Sequence, residues 1–240
     1  MGACTVKLER RQQVAEGTVA FCFGKPAGFE FAGGQSIDVT LINPPQTDAE
    51  GNTRALSLAS APHEPYLMVA TRLRDTAFKR TLKTLEPGTE VKIEGPFGSM
   101  TLHRKTNRPA VILAGGIGIT PFRSMLVQAA KANTGHSLFL FYSNRRPEDA
   151  AFLAELQELA RQHTNFTLVA TMTNLEKSQA VWTGEKGHIS IDIVMKYVND
   201  LADPIYYTAG PPALVAAMKE ILSEAGVDED DINSEDFSGY

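Results

Sequence analysis

Four short stretches carry residues whose types and spacing could do chemistry. In RALSLAS (54–60), Arg54 opens what otherwise reads as a half-buried strand, and Ser57 follows three positions later. Strands repeat every two residues, so guanidinium and hydroxyl fall on opposite faces, and a guanidinium there is costly to bury without an anion. In AGGIGITPF (114–122), Gly115, Gly116 and Gly118 link an apolar strand to a helix, with Thr120 and Pro121 at the helix start. Such a turn brings backbone N–H groups close to a phosphate at the positive end of the helix. It is not the dinucleotide fingerprint GxGxxG, because Pro121 stands where the third glycine belongs. YYTAGPP (206–212) places Gly210 and Pro211 at a second strand-to-helix turn, and in an open parallel sheet such loops line a shared crevice. YSNRRPEDAAF (142–152) sets Arg145 and Arg146 at a strand end, where they either accept a ribose 2′-phosphate or form a solvated basic turn. Arg123 is a further phosphate contact or a surface residue.

Composition narrows the chemistry. A formal net charge of −5 over 240 residues argues against binding nucleic acid through its phosphates. Two cysteines, Cys4 and Cys22, cannot ligate an iron–sulfur cluster that needs four, and the five histidines show neither HxH nor HxxxH spacing, so no metal site is expected. No apolar run approaches the roughly 18 residues of a membrane-spanning helix, and MGACTVKLERRQQ lacks the apolar centre of a signal peptide. The expected compartment is the cytoplasm.

The elements that must position these stretches change character near residue 105. Before it, six short β-rich segments alternate with Gly- and Pro-rich turns, which predicts an antiparallel barrel or sandwich. One helical segment interrupts them, TAFKRTLKTL, with Phe78, Leu82 and Leu85 at helical spacing. After residue 108 the pattern becomes strand–helix–strand. PAVILAGG is a continuous apolar run of the kind that parallel strands covered on both faces show. EDAAFLAELQELARQH and PALVAAMKEILSEAG read as amphipathic helices and IDIVMKYV as a shorter one, between the strands SLFLFYS, NFTLVATMT and PIYYTAG. The alternation predicts a doubly wound α/β sheet. The expected division is 1–105 for the β-barrel and 106–240 for the α/β domain, with the charged, proline-ended HRKTNRP between them.

Taken in order, FAGGQSI (31–37), RALSLAS, EGPFGSM (94–100), AGGIGITPFRSM, AGPP (209–212) and EDF (235–237) make the chain resemble the ferredoxin–NADP reductase superfamily over nearly its whole length. That resemblance implies a flavin-binding barrel followed by an NAD(P)-binding α/β domain. It implies that Arg54 reaches the flavin phosphate and that Ser57 hydrogen-bonds near flavin N5, with Ala55, Leu56 and Thr71 beside them. Glu235 and Phe237 match the family's terminal Glu-x-aromatic, and Phe237, or alternatively Tyr240, would cover the flavin. Departures accompany the match. Leu56 replaces the usual aromatic residue and cannot stack on the ring. TAFKRTL (76–82) replaces a small-residue loop, leaving the helix start and Lys79, Arg80 or Thr81 for the phosphates. Ala209 stands where plant-type members carry a cysteine. FAD is favoured over FMN, and Arg145 with Arg146 tilts the donor from NADH towards NADPH. The resulting expectation is a stand-alone NAD(P)H-dependent flavin oxidoreductase that passes electrons to a separate acceptor, a ferredoxin-like protein or a small molecule. The alternative is a flavin-holding subunit of a larger complex without NAD(P)H turnover of its own.

Overall fold

In the computed structural model, which describes residues 2–237, the first half forms one six-stranded antiparallel sheet. Its strands are β1 (Cys4–Ala15), β2 (Thr18–Gly24), β3 (Ser36–Leu41), β4 (Thr53–Ser57), β5 (Tyr66–Arg72) and β6 (Glu90–Phe97), in the order β4-β3-β6-β1-β2-β5. A bridge between Leu58 and Val69 brings the two edge strands together and closes the sheet into a barrel. Closure explains the alternation along β2 and β5. Phe21, Phe23, Leu67 and Val69 point inward to join Ile37, Val39 and Val91, while Ala20, Cys22, Met68 and Ala70 face the second half of the chain. The expected helix is α1 (Ala77–Thr84). It drops Phe78 and Leu82 into the barrel core, and Leu85 ends it as the C-cap. Thr76 caps its start, accepting the Lys79 N–H at 3.3 Å.

The second half is a six-stranded parallel sheet. It comprises β7 (Ala110–Gly115), β8 (Leu138–Asn144), β9 (Phe166–Met172), the two-residue β10 (Glu185–Lys186), β11 (Ile205–Gly210) and β12 (Ile232–Asp236), ordered β10-β9-β8-β7-β11-β12. Both faces are covered, as the apolar runs require. Ala110, Ile112 and Ala114 of β7 pack with α2 (Ile119–Ala132) and α3 (Leu153–Gln162) on one face. Val111 and Leu113 pack with α4 (Ile191–Met195) and α5 (Pro212–Glu224) on the other.

Two boundaries differ from the sequence pattern. α3 begins after Phe152, which adopts a left-handed conformation and acts as N-cap, so the expected helix is split: Pro147–Asp149 form a separate 3-10 turn and residues 150–152 a short non-helical link before α3. α4 stops at Met195, short of the expected 198. Apolar spacing continues through Val198, and the N–H groups of Tyr197 and Val198 both converge on the Val194 carbonyl, closing the helix and not extending it.

The halves share a packed seam, since the outward-facing residues of β2 and β5 and the inner face of α2 belong to one apolar cluster. Polar contacts border it. The Gly33 N–H donates to Gln128 Oε1 at 2.7 Å, and Ser124 Oγ donates to the Ser60 carbonyl at 2.6 Å. Arg146 pairs with Glu16 across the same seam. The segment joining the sheets is tied down as well. The His103 N–H donates to the Tyr207 hydroxyl at 2.9 Å, and its ring stacks on Tyr207 and meets His136 edge-on.

Candidate active site

β7 has β8 on one side and β11 on the other, so chain direction across the sheet switches at β7 and β11, where a crevice opens beyond the strand ends. The glycine turn and the 209–212 turn meet there. A Cβ on Gly118 would lie 2.2 Å from the Ala209 carbonyl oxygen. Gly210 has φ +150, and a Cβ there would lie 2.9 Å from the Gly115 carbonyl oxygen. These glycines are demanded by the interlock of two turns, which a side chain at either position would force apart. Tyr142 pins the turn from below, donating from its hydroxyl to the Gly116 carbonyl at 3.0 Å.

A cleft of about 510 Å³ runs from this crevice along the barrel wall. β4 and β5 contribute Arg54, Ala55, Leu56, Ser57 and Thr71. The start of α1 contributes Thr76, Phe78 and Lys79, the glycine turn Ile117 and Thr120, and β12 with its exit Glu235, Asp236 and Phe237. Ser57, the 117–120 turn and the C-terminal pair Glu235/Phe237 therefore share one groove, although they come from three distant parts of the sequence.

Several polar groups in the groove are uncommitted. Among the described residues, the Ser57 hydroxyl, the Lys79 ammonium and the Glu235 carboxyl make no hydrogen bond or ion pair. Burial pushes the Glu235 carboxyl above the ordinary glutamate range. Burial, with the nearby charges of Arg74 and Arg54, pushes the Lys79 ammonium down. The Glu50 carboxylate opposes that shift without reversing it, and a buried cation with no ion pair is a ready partner for an anion. Phe237 is held by its backbone N–H, which donates to the Gly210 carbonyl at 3.0 Å. Thr120 donates its hydroxyl to the Ile117 carbonyl. Tyr240 lies outside the described residues.

Other residues singled out in the sequence sit elsewhere or are already bonded. Arg80 turns away from the groove, pairing with Asp75 and donating to Gln46. Thr81 is buried on the inner side of α1. Gly115 and Gly118 are buried, and Gly116 lies in the turn with φ +52, so Ile117 and Thr120 are what the turn presents to the groove. Arg146 is fully engaged by Asp149 and Glu16, whereas the Arg145 side chain is exposed. Arg54 lines the groove, but its guanidinium bonds the loop before it.

Arg123 is neither a surface residue nor a phosphate contact. It is 5% exposed and donates to the Ala59 carbonyl at 2.6 Å, to Glu64 at 3.0 Å and to Glu155 at 2.5 Å. Burial would raise the Glu64 carboxyl, but Arg123, the Tyr66 hydroxyl and the Ala61 N–H outweigh it and hold Glu64 below its usual range. Glu64 and Glu155 were not singled out in the sequence. HEP and AELQEL give no local sign that either carboxylate meets an arginine.

Residues 112–220 match the model of the oxidoreductase NAD-binding domain family. The glycine betaine monooxygenase reductase subunit of Chromohalobacter salexigens is 28% identical over 222 residues, covering 90% of this chain and 59% of that protein. Among solved structures, a ferredoxin–NADP+ reductase from Neisseria gonorrhoeae with bound FAD and NADP superposes with a TM-score of 0.81 at 20% identity, covering 98% of both chains. The flavohaem-like FAD/NAD-binding domain of a Vibrio cholerae nitric oxide dioxygenase superposes with a TM-score of 0.84 at 19% identity, over 97% of this chain and 98% of that one. The family match covers much of the second half of the chain, and the chain as a whole shares its fold with these two structures. The chain spans about three-fifths of the curated relative named above. The groove lies between the barrel wall and the ends of the parallel strands. Leu56, not an aromatic ring, forms its barrel wall beside Ser57, and Ala209 is buried beneath the glycine turn.

Proposed function

We propose that the chain is a flavin-dependent NAD(P)H oxidoreductase that delivers electrons to a separate acceptor, a ferredoxin-like protein or a small molecule. One observation carries this reading: a single groove joins the barrel wall at Leu56–Ser57 to the glycine turn and to Glu235/Phe237. The residues present fit FAD. Leu56 offers apolar surface for a flat ring, while Lys79 and the α1 start offer positive charge for phosphates. A bound flavin supplies hydride acceptance and one-electron release, which no side chain can perform.

The chain's own residues bind, align and screen. Ser57, with its hydroxyl free in the groove, donates a hydrogen bond at the reacting edge of the ring. Glu235, with a raised pKa, holds a proton in the same groove to higher pH than an ordinary glutamate. Phe237, which lines the groove beside Glu235, would screen the face of a bound ring from water. Gly118 and Gly210 let the two turns close on the nicotinamide end, and Pro211 shapes its floor. Since Arg146 is spent, any preference for a 2′-phosphate rests on Arg145. We assign the barrel to residues 1–105, the nucleotide domain to 106–240, and the cytoplasm as compartment. Among the described residues, no helix is long and apolar enough to cross a membrane.

The test is a visible spectrum of the purified chain followed by anaerobic addition of NADPH or NADH. Bleaching of a flavin band within seconds is expected, and the faster nucleotide identifies the donor. A yellow protein that neither nucleotide bleaches would identify the alternative, a flavin-holding subunit. A colourless protein that takes up no flavin overturns the reading.

A further inference from the structure

The donors best placed to grip a flavin phosphate are already gripping carboxylates of this chain. Arg54 donates from Nη1 to the carbonyls of Glu50 (3.0 Å), Gly51 (3.1 Å) and Thr53 (2.8 Å). Its Nη2 meets Asp48 Oδ1 at 3.3 Å and Glu50 Oε2 at 2.8 Å. Both terminal nitrogens are thus committed to residues 48–53. The other oxygen of Asp48, Oδ2, accepts the Ala77 N–H at 3.0 Å, the first N–H of α1. The third N–H of that helix is taken by Thr76 Oγ1. One carboxylate therefore bridges the guanidinium and the helix N-terminus, as one phosphate group would. The loop is moored nearby as well, because Gln46 accepts from Arg80. Lys79, in the groove beside these groups, makes no ion pair among the described residues, although the Glu50 charge acts on it.

We propose that Asp48, seconded by Glu50, competes with the flavin phosphates for Arg54 and the start of α1. This makes the loop at residues 43–52 the element that sets affinity for phosphorylated flavins. The proposal rests on the flavin reading of the groove and adds a specificity-determining segment to it. FAD gains Arg54 only by displacing Asp48 and Glu50, whereas the ring portion of the site, at Leu56 and Ser57, is untouched. The consequence is a flavin held more loosely, and exchanged more readily, than the site's own donors would allow.

The test titrates FAD, FMN and riboflavin into the flavin-free 240-residue chain, following flavin fluorescence, for the wild type, Asp48→Asn and Glu50→Gln. Removing a negative charge next to a phosphate should tighten FAD by about tenfold for Asp48→Asn and about threefold for Glu50→Gln, while riboflavin, which carries no phosphate, stays within about twofold. Weaker FAD binding by Asp48→Asn overturns the proposal, since Asp48 would then be orienting Arg54 for the ligand. A riboflavin shift as large as the FAD shift also overturns it, because the change would then be structural. If neither wild type nor variants bind any of the three flavins, the flavin reading itself falls and takes the proposal with it. Unaltered FAD binding by both variants sinks the proposal alone.

Discussion

The groove and the seam beside it are built from the same kinds of side chain and treat them in opposite ways. At the seam, Arg123 is saturated by Ala59, Glu64 and Glu155, and Ser124 and Gly33 each find a partner on the opposite half. In the groove, Ser57, Lys79 and Glu235 have none among the described residues. Polar groups that leave water must recover their hydrogen bonds from somewhere. The seam recovers them from the protein and so becomes architecture. The groove leaves them open, which is what the proposed site requires. Arg54 falls between the two, lining the groove while spending its donors on its own loop.

The contrast can be broken at several points. The largest effect is expected at the seam. Arg123→Ala strands the Glu64 carboxylate, and breaking such a pair should cost about 3–5 kcal/mol in urea unfolding. A loss below about 1 kcal/mol would put this pair among ordinary surface bridges. Gly118→Ala should come next, at about 3 kcal/mol by the same measurement, because its methyl group would overlap the Ala209 carbonyl and part the two turns. Native stability in that variant would show that the interlock yields freely.

In the groove the readout should move from stability to rate. Ser57→Ala is expected to retain the fold and the flavin while slowing reduction by NAD(P)H about 10²-fold in stopped flow, as loss of one aligned donor does. A variant that reduces normally but melts early would place Ser57 with the seam.

The smallest effect concerns His103 of the connecting segment and His136, which packs edge-on against it. Burial lowers the pKa of both His103 and His136, so the folded state prefers neutral rings. Their contribution is complete above the unfolded value of about 6.5 and is lost as pH falls from there through the folded values. Thermal stability should therefore decline below about pH 6.5, and the decline should shrink in His136→Asn. An unchanged decline in that variant would assign it to carboxylates.

Much of the scaffold was legible in the chain because it depends on short-range periodicity. Alternation in SIDVTL and TEVKIEG, and unbroken apolar runs in PAVILAGG and SLFLFYS, separate one-sided from two-sided strands. The glycine turn and the 209–212 turn were visible as strand-to-helix punctuation. The sequence did not show β10, whose two residues are too few to carry a period, or that Phe152 ends a turn instead of continuing a helix.

What the chain determined by itself was which elements form and which faces they bury, since neighbours two to four residues apart settle both. Partners were another matter. Arg54, Arg123 and Arg146 look alike in one dimension, each a cation near Gly or Pro turns. Tertiary structure set Arg123 against Glu64 and Glu155, 59 and 32 residues away, and Arg146 against Glu16, 130 away. It also carried Asp48 onto the start of α1, 29 residues on. Coulomb attraction acts over ångströms of space, and only the closed barrel docked on the parallel sheet fixes which charges come within reach.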